Sequence, residues 1–305
     1  MRIVSLLPST TEILFAVGAG DDVVGVTFEC DFPPQARSRR IVSTSALPNH
    51  LQPAEIDAEV RARMAAGEDL YHLDEDALRD LAPDLVITQD LCAVCAVDVA
   101  TVDAALDHLG CDGKVLTVDP ATLDDVLDSI TGIGAATGRL ARADRLVGDL
   151  RARLVRVAAA VAGRARPRVA VVEWTAPLFC AGHWVPDMIT AAGATCALGE
   201  PGQRSHPISP DAVTRAAPDI IVVAPCGYDL AGAAALAATL AADAILPPGV
   251  PVWAVDADAA FVRPGPRLID GIEALAGICH PDVLPLRPEL AAPVAASPAT
   301  ITVGS

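Results

Sequence analysis

A chain of 305 residues, 52% hydrophobic and 3% aromatic, can bury one large core or two ordinary ones; its Ala, Val and Leu content suits an α/β protein. The net charge of −17 argues against nucleic acid as a partner, because no basic stretch offers a row of phosphate contacts. No run reaches the roughly 18 apolar residues of a membrane span, which excludes membrane insertion by a helix.

Met1-Arg2 leads straight into Ile-Val-Ser-Leu-Leu-Pro, too short for the core of a signal peptide. The expectation is therefore a cytoplasmic protein, or a periplasmic or surface-attached one if an export signal is missing from this sequence. In a cytosol the eight cysteines read as thiols or metal ligands rather than a disulfide framework.

In chain order, residues 2–7 read as a buried strand, and Ser9 with Glu12 as the capping box of a helix over 10–17. A strand at 23–27 runs into an irregular loop, Phe28-Glu29-Cys30-Asp31-Phe32-Pro33-Pro34, that its prolines keep from being helical. A short strand follows at 41–43, then polar helices at 53–64 and 74–81. Strands at 85–88 and 114–118 flank a helix at 99–109, and another helix covers 122–136. This alternation builds a parallel sheet.

From 137 to 163, Leu140, Ala143, Val147, Leu150, Leu154, Val157 and Val161 recur at spacings of four and three, one stripe of a long helix. Arg139, Arg142, Arg145, Asp149, Arg153 and Arg156 lie on its other faces. Beyond it the pattern repeats: strands at 168–173, 220–224 and 252–255, helices at 186–192, 210–216, 230–242 and 266–278. Residues 286–305 are Pro- and Ala-rich without a period and read as a disordered tail.

The flanks of the long helix look like copies of each other. Leu-Ala-Pro-Asp-Leu-Val-Ile-Thr precedes it at 81–88, and Ala-Ala-Pro-Asp-Ile-Ile-Val-Val follows at 216–223. The reading is two Rossmann-like lobes with parallel sheets, 1–136 and 164–285, joined by the helix at 137–163, with a ligand cleft between the lobes. A hinge of that kind limits closure to small rocking.

Ligands of open α/β sheets sit beyond the carboxyl ends of the strands. The loops there hold Cys30, Cys92, Cys95, Cys180 and Cys226, whereas Cys111, Cys196 and Cys279 fall elsewhere and read as small buried residues. Cys92-Ala-Val-Cys95 lets two sulfurs turn to one point, as half of a zinc site, a redox pair or a packing feature. Further ligands would come from Cys180, His183, Cys30, Cys226 or His206.

In Phe179-Cys180-Ala181-Gly182-His183-Trp184, a neutral imidazole could ligate a metal or a tetrapyrrole-type ring, with Trp184 as a stacking surface; a polar loop with a packed tryptophan is the alternative. Glu29 and Asp31 place carboxylates beside Cys30. Arg263 suits either a ligand carboxylate or an acidic neighbour. No hydrolase elbow, phosphate loop or zinc-protease helix is present.

Leu-Leu-Pro-Ser-Thr-Thr-Glu-Ile-Leu-Phe-Ala-Val-Gly-Ala-Gly at 6–20, Asp31-Phe32-Pro33-Pro34, Pro83-Asp84-Leu85-Val86-Ile87, Pro177-Leu178-Phe179, Ile208-Ser209-Pro210-Asp211 and Phe261-Val262-Arg263-Pro264-Gly265-Pro266-Arg267 resemble, in order, the landmarks of the helical-backbone (class III) solute-binding proteins of ABC importers. The resemblance is closest to the cobalamin-binding branch and covers roughly 2–280, with an insertion around 46–73.

It implies a corrinoid, another metal chelate, or a metal ion such as zinc as ligand. Glu29, Ser45, Gln89 and the segment near His206 stand where that branch carries aromatic cleft residues, and Phe179 keeps one. The resemblance also places Asp76 and Asp211 where acidic residues dock an ABC permease. A cytoplasmic enzyme using the cleft Cys and His residues is the alternative reading.

Overall fold

The computed structural model describes residues 1–89 and 113–294. The chain divides into two compact units: Met1–Arg153 with Arg263–Pro266, and Leu154–Val262 with the chain from Arg267 on.

In the first unit the elements run β1 (Ile3–Ser5), α1 (Pro8–Ala16), β2 (Val23–Thr27), β3 (Arg40–Ser45), α2 (Pro53–Ala66), β4 (Tyr71–Leu73), α3 (Glu75–Leu81), β5 (Leu85–Thr88), β6 (Lys114–Thr117) and α4 (Leu123–Ala136); α5 (Leu140–Ala160) begins in the first unit and passes into the second at Leu154. The sheet order is β4-β3-β2-β1-β5-β6. Every pair is parallel except β3 with the edge strand β4. β1 sits in the middle, with Ile3 opposite Val23 on one side and Leu85 on the other. Central strands covered on both faces are mostly apolar, and β5 is buried at all four positions.

The second unit holds β7 (Arg168–Thr175), β8 (Leu178–Cys180), α6 (Val185–Ala191), β9 (Thr195–Cys196), α7 (Pro210–Arg215), β10 (Ile220–Val223), α8 (Leu230–Ala242), β11 (Val252–Val255), α9 (Ala257–Ala260), α10 (Leu268–Cys279) and β12 (Ala291–Pro293). Its sheet runs β12-β11-β10-β7-β8, with β9 also on β7. Ala170, Val172, Ile221, Val223 and Ala254 of the sheet pack with Ala233, Ala237 and Leu240 of α8. Each fully buried Val, Leu or Ile contributes roughly 1.5–3 kcal/mol.

The duplicated flanks fold as duplicates. α3 ends on Ala82 at φ 40° and α7 is followed by Ala217 at φ 45°, each with a proline and an aspartate next. Asp84 Oδ2 accepts the Arg2 amide at 2.7 Å while Arg2 Nε donates to the Leu81 carbonyl. Asp219 Oδ2 accepts the Arg168 amide at 2.7 Å while Arg168 Nε donates to the Ala216 carbonyl. Each lock satisfies the end of a helix and the start of a strand with one Arg–Asp pair.

Four expectations change. The helix expected over 137–163 is α5, 21 residues long: Thr137 caps α4, and Gly138 at φ +68° breaks the chain between the two helices. Leu140, assigned to the buried stripe, is 45% exposed because it opens the helix, whereas Ala143, Leu150 and Val157 are buried as expected. Ser9 does not cap α1, which starts at Pro8 on Leu7; proline lacks the amide that the first helical residue leaves unpaired. The tail is not disordered from 286. Arg287 pairs with Asp270, Glu273 and Glu289, and β12 runs antiparallel to β11, opposing Ala291 to Val255.

Candidate functional site

In the first unit the carboxyl ends of β1 and β2 are closed by a hydroxyl and thiol chain. Thr11 Oγ1 donates to Ser5 Oγ at 2.9 Å and lies 3.0 Å from Cys30 Sγ; Ser5 and Thr10 hydroxyls are 2.7 Å apart. Cys30 is 3% exposed, and burial pushes its thiol up to about 12. A thiol so buried and so firmly protonated is a poor nucleophile.

Arg263 meets acidic neighbours: its Nη1 donates to Asp31 Oδ1 at 2.5 Å and lies 4.0 Å from Glu12 Oε1. The Glu12 side chain is only 3% exposed, so this guanidinium neutralises a buried carboxylate beside a half-exposed one. Glu29 is half-buried and Gln89 buried. Phe28, directly after β2, is 41% exposed and faces Tyr71 at a ring separation of 6.5 Å. Tyr71 pairs with Ser45, the last residue of β3, so both rings stand at the carboxyl edge of the sheet.

In the second unit, Trp174 near the end of β7 faces Tyr228 of the loop after β10, with centroids 6.2 Å apart and planes at 57°. Phe179 pairs with Trp174 across β7 and β8. Next to it, the segment 202–208 zips onto the chain 178–183. Cys180 N donates to His206 O at 3.1 Å, His183 N to Gln203 O at 2.6 Å, and Gly202 N to His183 O at 3.0 Å. At Gly182 the two backbones touch, since an added Cβ would stand 2.2 Å from Ser205 N.

The imidazole beside Cys180 belongs to His206, with Sγ at 3.3 Å from Nδ1 and 3.6 Å from Nε2. Nδ1 and Nε2 flank the same ring carbon, so near-equal separations keep the sulfur off the axis of either lone pair. Burial raises the Cys180 thiol and lowers the His183 imidazole, the latter helped by Arg204, so both are neutral near pH 7. His183 holds φ 50°, and its Nε2 is buried without a hydrogen-bond partner. Trp184 donates its indole N–H to Phe261 O at 2.7 Å and is 8% exposed, a packed ring rather than an open stacking face.

Cys226 is exposed, and its amide donates to Glu173 O at 3.2 Å. Cys92 and Cys95 lie outside the described residues, as does the expected helix at 99–109. The metal set Cys92, Cys95, Cys180 and His183 is thus described only at its last two members. Among the described residues no three His, Cys, Asp or Glu side chains converge on a point that would hold a metal ion.

Asp76 is 81% exposed and pairs with Arg79 at 2.6 Å; Asp211 is exposed in the first turn of α7, behind the Ser209 cap. No helix among the described residues is long and apolar enough to cross a membrane.

Sequence reasoning missed Phe28, Tyr71, Trp174, Tyr228 and Glu173. Part of the signal was available: aromatics are scarce, and Phe28 and Tyr228 fall in loops just past strands, Trp174 near a strand's end. Glu173 had the weaker mark of a carboxylate closing the apolar run 169–172.

The profile of a family described as "Periplasmic binding protein" matches residues 3–245. A substrate-binding lipoprotein of an ABC transporter from Bacillus subtilis, YvrC, is 31% identical over 155 residues, 50% of this chain and 39% of that protein, so the match spans well under half of that relative. Among solved structures, a periplasmic heme binding protein from Pseudomonas aeruginosa superposes with TM-score 0.71 at 22% identity, covering 96% of this chain and 98% of that one. The vitamin B12 binding protein BtuF of Vibrio cholerae superposes with TM-score 0.64 at 24% identity, over 90% and 94%.

Proposed function

Because this chain belongs to the periplasmic binding protein family, we propose that it is the substrate-binding component of an ABC importer and that its ligand is a flat metal chelate of the tetrapyrrole class, a haem or a corrinoid. The observation that carries the reading is an aromatic pair at the carboxyl edge of each sheet, Phe28 with Tyr71 and Trp174 with Tyr228. Large apolar rings with their faces partly open are the surfaces on which a conjugated macrocycle stacks. The solved relatives that bind heme and vitamin B12 support the same ligand class. Asp76 and Asp211, both exposed at the starts of short helices, are the carboxylates offered to permease arginines.

Titrating the protein with haemin and with cyanocobalamin, followed by absorbance, tests this. One of the two saturates at one equivalent, and Phe28→Ala or Trp174→Ala weakens it by about 1–2 kcal/mol, roughly 5- to 30-fold. Unchanged affinity in both variants sinks the stacking assignment.

A further inference from the structure

The chain between β3 and β4 leaves the sheet at its carboxyl edge. Ser45 pairs with Tyr71, and one step further out Ala46 N donates to Leu70 O at 2.9 Å. Beyond that bond, residues 47–69 make an excursion built around α2, whose 14 residues bury a single side chain, Pro53. Most helices in globular proteins draw their stability from packing, and one of this length is marginal in water by itself.

α2 is held instead by devices of its own. Pro53 fills the first helical position, and Glu55 Oε2 accepts the Gln52 amide at 2.7 Å. Asp57 pairs with Arg61 and Glu59 with Arg63, each at 2.8 Å and four residues apart, with the acid on the favoured N-terminal side. Gly67 ends the helix at φ 69°, and Glu68 N returns to Arg63 O at 2.9 Å. A helix closed on itself in this way does not need the body of the unit in order to form. It carries a stripe at four-residue spacing, Ile56, Val60 and Met64, of which the first two are half-buried and Met64 is 52% exposed.

We propose that the 47–69 excursion is a lid on the chelate site, and that Ile56, Val60 and Met64 are ligand-contacting residues that close over a macrocycle lying against Phe28 and Tyr71. The proposal rests on the chelate reading. Two observations choose this occupant. The foot of the excursion is Leu70 with Tyr71, so the ring that faces Phe28 is continuous with the stalk of the lid. The charges of α2 are engaged with one another or with the cap, which leaves an apolar stripe and little to specify a protein partner. Met64, unbranched and polarisable, moulds to a flat conjugated face. The turning points are the ends of the excursion, where His50 and Gly67 hold φ 68° and 69°.

The test follows hydrogen exchange at the amides of 57–66 in the full chain, alone and with excess haemin or cyanocobalamin. A helix with so little packed against it exchanges fast when free, and the macrocycle that binds slows it by about tenfold or more. Two variants go with it: Ile56→Ser with Val60→Ser, and a chain in which an Asn-Gly turn joins Ala46 directly to Leu70. Both raise the dissociation rate of the chelate about 10- to 100-fold, because the contacts they lack form once the ligand has landed. If the shortened chain does not fold by circular dichroism, the serine pair decides.

Chelate bound with unchanged exchange in α2 and wild-type dissociation from the variants overturns the lid and leaves the stacking reading standing. Slowing that grows with protein concentration and needs no chelate assigns the stripe to a second copy of this chain, and overturns the lid as well. A wild type that binds neither macrocycle retires the chelate reading and the lid with it.

Discussion

Replacing Gly182 by alanine puts a methyl group where the chain has no room. The added Cβ would lie 2.2 Å from Ser205 N, 2.7 Å from Ser205 Cα and 2.9 Å from Arg204 C, all backbone atoms that no rotamer change can move. Ordinary contact begins at 3.4 Å, so the 203–206 segment has to retreat by about 1.2 Å. That retreat breaks the bonds from Cys180 N to His206 O, from His183 N to Gln203 O and from Ser205 Oγ to Cys180 O. At about 1 kcal/mol each, the loss comes to about 3 kcal/mol.

All three tryptophans, Trp174, Trp184 and Trp253, lie in the second unit, so fluorescence-monitored urea unfolding reads the affected part selectively. The midpoint falls by about 1 M or more. Gly148, within α5, gives the opposite sign: its added Cβ meets nothing within 4 Å, and alanine there adds up to about 1 kcal/mol by far-UV circular dichroism. A Gly182→Ala protein within 0.5 kcal/mol of wild type would refute the close approach of the two backbones.

Arg263→Met withdraws the guanidinium from the buried Glu12 and costs the first unit about 2–4 kcal/mol, most of it recovered by adding Glu12→Gln; additivity of the two changes would dissolve the pair. Iodoacetamide at pH 8 should label the exposed Cys226 more than 100-fold faster than Cys30 or Cys279, whose thiols burial holds near 12. Mass-spectrometric rates in the reverse order would contradict the burial assignments. Charge removal at Asp76 and Asp211 together should abolish uptake in cells while leaving chelate affinity within twofold; a matching loss of affinity would move both residues from docking to ligand binding.

Folding raises Glu173 above the ordinary glutamate range to about 7, so between those values the folded state keeps a proton that the unfolded chain has released. The stability from this group is full at low pH and is lost as pH rises through 7. Wild type should therefore weaken relative to Glu173→Gln between pH 5 and 8, and parallel curves would exclude the linkage.

The alternation of strands and helices was legible because each central strand carries a short run of apolar residues between helix stops, and because 81–88 and 216–223 carry the same Pro-Asp turn. β4, β8, β9 and β12 escaped notice. They are edge strands of two or three residues whose pairing is set by their neighbours, and no two-residue periodicity survives at that length. Arg263 illustrates the gap at the candidate site. Its sequence context allowed a ligand or an acidic neighbour, and only the return of 263–266 to the first unit puts Asp31 and Glu12 beside it.

The cysteines show the same limit. Their positions after strands were readable, but whether a thiol is buried at 3%, as in Cys30, or exposed, as in Cys226, depends on what packs over the loop. The Cys180 neighbour differs too: sequence proximity offered His183, and the zipped segment delivers His206 from 26 residues away.

The most direct measurement of the central claim is equilibrium dialysis of the purified chain against haemin, cyanocobalamin and, as a non-macrocyclic control, ferric citrate. The account predicts that one macrocycle is retained at one per chain, with a shifted absorbance band, and that ferric citrate is not. Retention of neither macrocycle, or of ferric citrate alone, would contradict it.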